Sequence, residues 1–405
     1  MKGLDAMGES GIELSCVMPC LNEEETVGIC VKKARETIER LGINGEVVVS
    51  DNGSTDRSVE IARALGARVV VQSKKGYGSA YMKGISAARG KYIVIADSDD
   101  SYDWTDLERF ISPLREGYDM VMGTRLKGEI KPGAMPWLHR YIGNPVLSGL
   151  LRIFFRTHIS DSHCGMRSFT KVAYERMGLQ TAGMEFASEM VIKACMLGLK
   201  IAEIPVTLFP DGRTGRPHLR SFRDGWRHLR FMLMFAPTWL YLVPGLSLMG
   251  AGFVILCVLL PGPLTIGNWF FDIHCMVLGS LMAILGYQIV TLGFYARVYL
   301  YTQHFEYQDE FLEKGFRYFN LERGIAMGLL IFCAGFLVLA HILIKWISRN
   351  YGPLYESRTA LFGMTLVVIG AQTIFSSFFL SMLGIRESGR IERDAASLRG
   401  SGRRQ

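Results

Sequence analysis

Apolar and polar positions alternate with two different rhythms along this chain. Near its start, short apolar runs at 14–18, 46–50, 69–72 and 91–96 are separated by stretches of helical period at 24–41, 57–65 and 79–89. Runs that are short, rich in β-branched residues and without polar alternation are how strands covered on both faces read. Strands and helices taking turns at this spacing predict right-handed crossovers and a mostly parallel sheet. The run Tyr92-Ile-Val-Ile-Ala96 is the expected central strand. Asp51-Asn-Gly-Ser-Thr-Asp56 predicts a turn and cap before the helix that Gly66 stops, and Asp103 is the expected cap of a helix reaching Leu114.

The second rhythm is one of long apolar stretches. Segments 239–260, 273–296, 324–347 and 360–383 together carry one Lys or Arg, Lys345 near an end. Each reaches the roughly 20 residues that cross a bilayer, and none has the polar stripe of a core helix. Four transmembrane helices are predicted. The connection 261–272 has no Lys or Arg, 348–359 has Arg349 and Arg358, and 297–323 holds Arg297, Lys314, Arg317 and Arg323. The tail from Gly384 adds six arginines. The positive-inside rule therefore puts the middle loop and both termini in the cytosol, and the mixed, polar residues 1–13 predict no secretory signal.

The expected organisation is a cytosolic α/β domain over 1–220, an amphipathic helix lying on the membrane over 221–236, a four-helix membrane domain over 237–385 and a basic tail over 386–405. Within the first domain, 145–156 mixes Leu, Ile and Phe with Arg152 and reads either as a second interfacial helix or as a core helix.

Composition refines this picture modestly. A net charge of +7 favours an anionic surface or substrate, and the mean hydropathy of +0.20 reflects the four long segments. Eight cysteines include no C-x-x-C pair, so neither a disulfide framework nor a zinc site is indicated, and His163 with Cys164 counts as local packing or hydrogen bonding. No nucleic-acid partner is expected; a homo-oligomer is compatible with the sequence.

Ligands of open α/β sheets bind at the carboxyl ends of the strands. Here those ends carry Pro19 to Glu24, Asp51 to Asp56, Gly76 to Gly78 and Asp97 to Asp100. No P-loop motif is present and Gly76-Tyr-Gly78 is not a dinucleotide fingerprint. In an extended chain Asp97 and Asp99 project to one side, and two hard oxygen donors suit Mg²⁺ or Mn²⁺ shared with substrate phosphates. Asp51 can accept from a base N–H. The combination predicts a nucleotide-sugar site.

The motifs VMPCLNEEETV (17–27), VSDNGSTDRS (49–58), KGYGSAYMKGI (75–85) and ADSDDSYD (96–103) resemble, in order, the donor half of family-2 inverting glycosyltransferases of the GT-A fold. GTRLKG (123–128), MPWLHRYIGNPVLSGLL (135–151), ISDSHCGMRSF (159–169), GMEFASEM (183–190) and DGRTGRPHLRSFRDGWRHLRF (211–231) extend the resemblance to the dolichol- and undecaprenyl-phosphate glycosyltransferases. The resemblance implies Pro19, Asn22, Glu24 and Asp51 at the nucleotide, Asp97 and Asp99 at the metal, and Arg125, Arg140, Arg213 and His218 around the phosphates. Arg216, in the same stretch as Arg213, joins the substrate-binding residues. It also implies Asp161 near the transferred sugar and sugar contacts from Glu185 and Glu189, which share a helix face. Where relatives offer Gln as a third metal ligand, this chain has Ser101. The Q-x-x-R-W signature of processive synthases is absent, which implies a single transfer.

The expected reaction is transfer of one hexose from UDP-glucose or GDP-mannose to a polyprenyl phosphate, with Asp99, Asp161, Arg125 and Arg140 as its catalytic group. A phosphomonoester, with a second pKa of about 6, is already ionised at neutral pH and needs positioning, which guanidinium forks at Arg125 and Arg140 can supply. Two competitors stay open. A hydroxyl acceptor, diacylglycerol or protein, requires a base such as Asp161; a non-catalytic scaffold or translocator would only bind nucleotide.

Overall fold

The computed structural model describes residues 11–212, 221–303 and 321–401. The chain divides into two compact units, Met1–Phe235 and Ala236–Gln405.

In the first unit the elements run β1 (Leu14–Cys20), α1 (Val27–Arg40), β2 (Gly45–Asp51), α2 (Ser58–Ala64), β3 (Arg68–Val71), α3 (Tyr77–Ala87), β4 (Tyr92–Ile95), α4 (Leu107–Arg115) and β5 (Met120–Ile130). A π-helical turn, His139–Gly143, then leads into α5 (Asn144–Phe155), β6 (Arg167–Thr170), α6 (Lys171–Met177), α7 (Phe186–Met196), β7 (Ile201–Leu208) and α8 (Ser221–Met234). The strands form one seven-stranded sheet in the order β3-β2-β1-β4-β6-β5-β7. β4 is central, as its uniformly buried Tyr-Ile-Val-Ile run requires. Only β6 runs against its neighbours β4 and β5; the other pairings are parallel.

The sheet is covered on both faces. One layer packs α1 and α4 residues such as Val31, Phe110 and Ile111 on β1, β2 and β4, and the other packs Tyr81 and Ile85 of α3 and Met190 of α7. The edge strand β7 accommodates Pro205 because one side of it has no ladder to complete.

One expected cap moves. Asp103 accepts from Thr105 N at 2.9 Å and Thr105 Oγ1 at 2.7 Å, closing a turn of its own, and α4 begins later with Asp106 at its N-cap. The carboxylate reaches the nearest backbone N–H, two residues on, before the chain has become helical.

Among the described residues of the second unit, four helices are long and apolar enough to cross a membrane, Thr238–Leu259, Ile273–Tyr301, Leu321–Ser348 and Ser357–Leu383. The first and second approach backbone to backbone: a Cβ on Gly252 would stand 2.4 Å from Ala283 N, and one on Gly286 would stand 2.4 Å from Met249 N. The third and fourth do the same at Gly370, where a Cβ would stand 2.4 Å from Phe332 N. Between the pairs, the hydroxyls of Ser280 and Thr365, and of Tyr287 and Thr373, hydrogen-bond at 2.7 Å. Arg358 and Asp272 form an ion pair, as do Lys345 and Glu356.

Candidate active site

The ends of β1 and β2 are knitted by local hydrogen bonds before any ligand is considered. Asn22, at φ 56°, accepts on Oδ1 from Thr55 N at 2.8 Å, and its own N–H donates to Ser54 Oγ at 3.0 Å. Glu24 Oε2 accepts from Arg57 N at 3.2 Å. The Pro19 carbonyl accepts from Ser98 Oγ at 2.6 Å, tying β1 to the acidic loop after β4. Asp51 is nearly buried, and its two oxygens accept from Gly53 N at 3.1 Å and Ser54 N at 3.0 Å. The orientation of the Asp51 carboxylate is therefore already set. Asn52, which the sequence did not single out, fastens three segments: Nδ2 donates to the carbonyls of Gln72 and Lys74, and Oδ1 accepts from Gly76 N. Gly76 and Gly78 serve chain packing, since a Cβ on either would stand 2.2 Å from a carbonyl oxygen of Ala182 or Thr181.

Asp97 and Asp99 lie just beyond β4. Asp97 Oδ1 accepts from Tyr77 Oη at 3.0 Å and Tyr81 Oη at 3.3 Å, both from α3. A Cβ on Gly165 would come within 2.9 Å of Asp97 Oδ2, so the glycine keeps a cradle open on that side. Asp99 Oδ1 accepts from Ser101 N at 3.1 Å and Ser101 Oγ at 2.6 Å. Ser101 thus orients Asp99, and its hydroxyl points its proton at the carboxylate. Asp100 sits at φ 60° and pairs with Lys33 at 2.7 Å, turning the chain sharply between the two acids and the next strand segment. Among the described residues no group of three or more His, Cys, Asp or Glu could hold a metal. Two oriented carboxylates and an open cradle fit a Mg²⁺- or Mn²⁺-type ion, which takes few protein ligands and completes its shell with phosphate and water.

Asp161 and Arg125 are brought together as a buried pair. Arg125 Nε lies 2.7 Å from Asp161 Oδ2, Nη2 lies 2.8 Å from Oδ1, and the Arg125 N–H also donates to Oδ2 at 3.0 Å. The Arg125 side chain is 11% exposed and that of Asp161 is 0%. Burial alone would raise the Asp161 pKa, but the Arg125 guanidinium and its hydrogen bonds outweigh that and hold it below the usual carboxylate range. The Nε/Nη2 edge of the Arg125 guanidinium is thus occupied by Asp161, and both oxygens of Asp161 are engaged.

Arg140 belongs to the π-helical turn and lies over the Tyr141 ring at 5.4 Å; among the described residues its guanidinium has no carboxylate partner. Glu185 and Glu189 do not work as a pair. Glu185 is 3.7 Å from Arg227 Nε, whereas Glu189 is buried, accepts from Gln180 N, Thr181 N and Thr181 Oγ1 and lies 2.8 Å from Lys193 Nζ. Glu189 thus braces the 180–181 loop. Arg213, Arg216 and His218 lie outside the described residues.

A buried polar chain, invisible to motif reading, runs behind Asp161. Ser162 Oγ meets His163 Nδ1 at 3.0 Å, and Ser188 Oγ meets His163 Nε2 at 3.5 Å and His228 Nδ1 at 2.8 Å. Burial and the neighbouring His228 push the His163 pKa well below its ordinary value. Arg167, 2% exposed, donates to the carbonyls of Cys164, Ala187 and Ser162 and so fixes the 162–164 loop.

Against known proteins, residues 15–178 match the model described as glycosyl transferase family 2, and residues 294–384 match the family-2 C-terminal transmembrane region. A low-salt glycan biosynthesis hexosyltransferase, Agl6, of Haloferax volcanii is 39% identical over 382 residues, which are 94% of this chain and 91% of that protein. The chain belongs to glycosyl transferase family 2. It is therefore a glycosyltransferase of the GT-A type and, with its four apolar helices, an integral membrane protein. A dolichyl-phosphate hexose transferase of the same organism is 32% identical over 216 residues, 53% of this chain and 89% of that protein. Glucosyl-3-phosphoglycerate synthase from Mycobacterium tuberculosis, solved with Mn²⁺ and UDP-glucose, aligns with a TM-score of 0.44 and 21% identity over 56% of this chain and 80% of that one, a likeness too distant to bear on the site.

Proposed function

We propose that this family-2 glycosyltransferase moves a single hexose from a nucleotide sugar, UDP-glucose or GDP-mannose, to a polyprenyl phosphate at the cytosolic face of the membrane. The observation that carries the choice of acceptor is the clamp of Asp161 by Arg125 at 2.7 and 2.8 Å. A hydroxyl acceptor needs a base to take its proton, and the acid best placed by sequence for that task is committed to a guanidinium. A phosphate acceptor arrives ionised above about pH 6 and needs only orientation. Hexose transfer is also what the names of both Haloferax relatives describe, and one of the two names a dolichyl phosphate.

In this reading Asp97 and Asp99 hold Mg²⁺ or Mn²⁺ against the donor diphosphate, where the ion would neutralise the charge of the departing nucleotide. Asp51 accepts from the base, and the loops fastened by Asn22, Glu24 and Pro19 shape the nucleotide pocket. Arg140 takes the acceptor phosphate, since its fork has no carboxylate partner among the described residues. It stands in a stretch whose apolar side chains face outward: Trp137 is 66% exposed, Tyr141 58% and Val146 52%. On α8, Trp226 is likewise 59% exposed. Aromatic and aliphatic groups beside arginines suit a headgroup layer, where a lipid phosphate is found. The arginine distribution among the loops supports a cytosolic catalytic unit and cytosolic termini.

The test is acceptor kinetics with a polyprenyl phosphate and the matching free alcohol. Arg140→Ala should lower use of the phosphate by roughly ten- to a hundredfold, the worth of a charge-assisted hydrogen bond, and leave donor affinity unchanged. Arg140→Lys should recover part of the loss. Equal use of the free alcohol by the unaltered enzyme would overturn the phosphate acceptor.

A further inference from the structure

Tyr77 and Tyr81 stand four residues apart on α3, so their side chains share one face, and both hydroxyls reach the same oxygen, Asp97 Oδ1, at 3.0 and 3.3 Å. The convergence is built rigidly. The two rings meet edge to face with centroids 4.9 Å apart, and Tyr81 stacks on Phe186 of α7 at 5.6 Å and 7°. Tyr81 is fully buried. The first turn of α3 is fixed by Ser79 N donating to Ala182 O at 3.1 Å and by the close approaches at Gly76 and Gly78. On the other side of the carboxylate, Trp104 Nε1 donates to the Asp97 carbonyl at 3.3 Å, fixing the backbone from which the side chain departs.

We propose that Tyr77 and Tyr81 are positioning residues for the donor's divalent ion: by holding Oδ1 with two neutral donors they fix the rotamer of Asp97 so that Oδ2 is turned to the cradle kept open by Gly165. This inference rests on the metal-binding reading of Asp97 and Asp99. It adds that the affinity for the ion is set from α3, outside the acidic loop. Hydrogen-bond partners of ligating groups typically govern metal affinity by about 10- to 100-fold. Two phenols orient the carboxylate without neutralising it, as a lysine or arginine in their place would.

The experiment uses the full-length protein in detergent or nanodiscs, with Mn²⁺ binding followed by electron paramagnetic resonance, alone and with UDP or GDP. Tyr77→Phe should weaken Mn²⁺ binding about tenfold, and the Tyr77→Phe/Tyr81→Phe double variant should approach a hundredfold. Excess Mn²⁺ should restore turnover in both, raising the metal requirement while kcat recovers. Thermal melting of Tyr77→Phe without metal should match the unaltered protein, which separates positioning from folding. Unchanged Mn²⁺ affinity in the double variant would overturn the role of the tyrosines alone. No Mn²⁺ binding by the unaltered protein in any of the three conditions would overturn the metal reading beneath it.

Discussion

The acids beyond β4 and the buried acids Asp161 and Glu189 are held by different donors. The hydroxyls of Tyr77, Tyr81 and Ser101 and the Ser101 N–H donate to Asp97 and Asp99. Asp161 and Glu189 are each bonded to a cation, Arg125 and Lys193, with side chains almost fully buried. Neutral donors set direction without themselves meeting the negative charge. A guanidinium or ammonium sets direction and meets the charge itself. The first arrangement suits a divalent ion, and the second suits a fold that must carry a charge inside without exposing it.

Removing one partner of a buried ion pair probes this contrast hardest. Asp161→Asn leaves the Arg125 charge uncompensated and should cost about 3 to 5 kcal/mol of stability, read as a lowered unfolding midpoint; adding Arg125→Met should restore part of it. A stable Asp161→Asn protein that had lost only its kcat would instead make Asp161 a base and merge the two classes of acid. Asp97→Asn should behave in the opposite way, with an unchanged melting temperature and turnover reduced by about a hundredfold or more. EDTA should have the same effect on the unaltered enzyme, reversed by Mg²⁺ or Mn²⁺.

Gly165→Ala sharpens the comparison further. The added methyl meets Asp97 Oδ2 and the Tyr102 ring, each at 2.9 Å, so it should weaken Mn²⁺ binding by roughly tenfold while the Asp161–Arg125 pair is untouched. The smallest effect is expected from pH. His163, packed against His228, has a folded-state pKa well below its unfolded value of about 6.5. Its contribution to stability is complete above about pH 6.5 and is lost as the pH falls from there towards the folded pKa, because the unfolded chain then binds the extra proton. The Asp161 pKa is also depressed, and its contribution disappears only below about pH 4. A melting series from pH 7.5 to 5.5 should therefore decline less steeply in His163→Asn, and an identical slope would remove His163 from the account.

The first four strands were legible because each is a short apolar run between turn residues. The last three were not. β5 is eleven residues long and only its first half is buried, β6 is four residues carrying the buried Arg167, and β7 contains Pro205. In each, the tertiary surroundings override what local composition suggests. The acidic positions of the site were legible for a similar reason, since strand ends and a D-x-D spacing are local. Their partners were not. Arg125 and Asp161 are separated by 36 residues, and Tyr77 and Asp97 by 20, so only the folded sheet reveals which donors each acid meets.

The glycine contacts of the second unit bear on how the protein is made. Backbone approaches at Gly252 and Gly286 join the first helix to the second, and those at Gly328, Gly335 and Gly370 join the third to the fourth. Each pair is thus a closely packed helical hairpin of the kind held by van der Waals contact in lipid. Hydroxyl pairs, Ser280 with Thr365 and Tyr287 with Thr373, fasten one hairpin to the other. Insertion can therefore proceed in two finished instalments as the chain leaves the ribosome, with the polar fastening made last, after both hairpins are already in the bilayer.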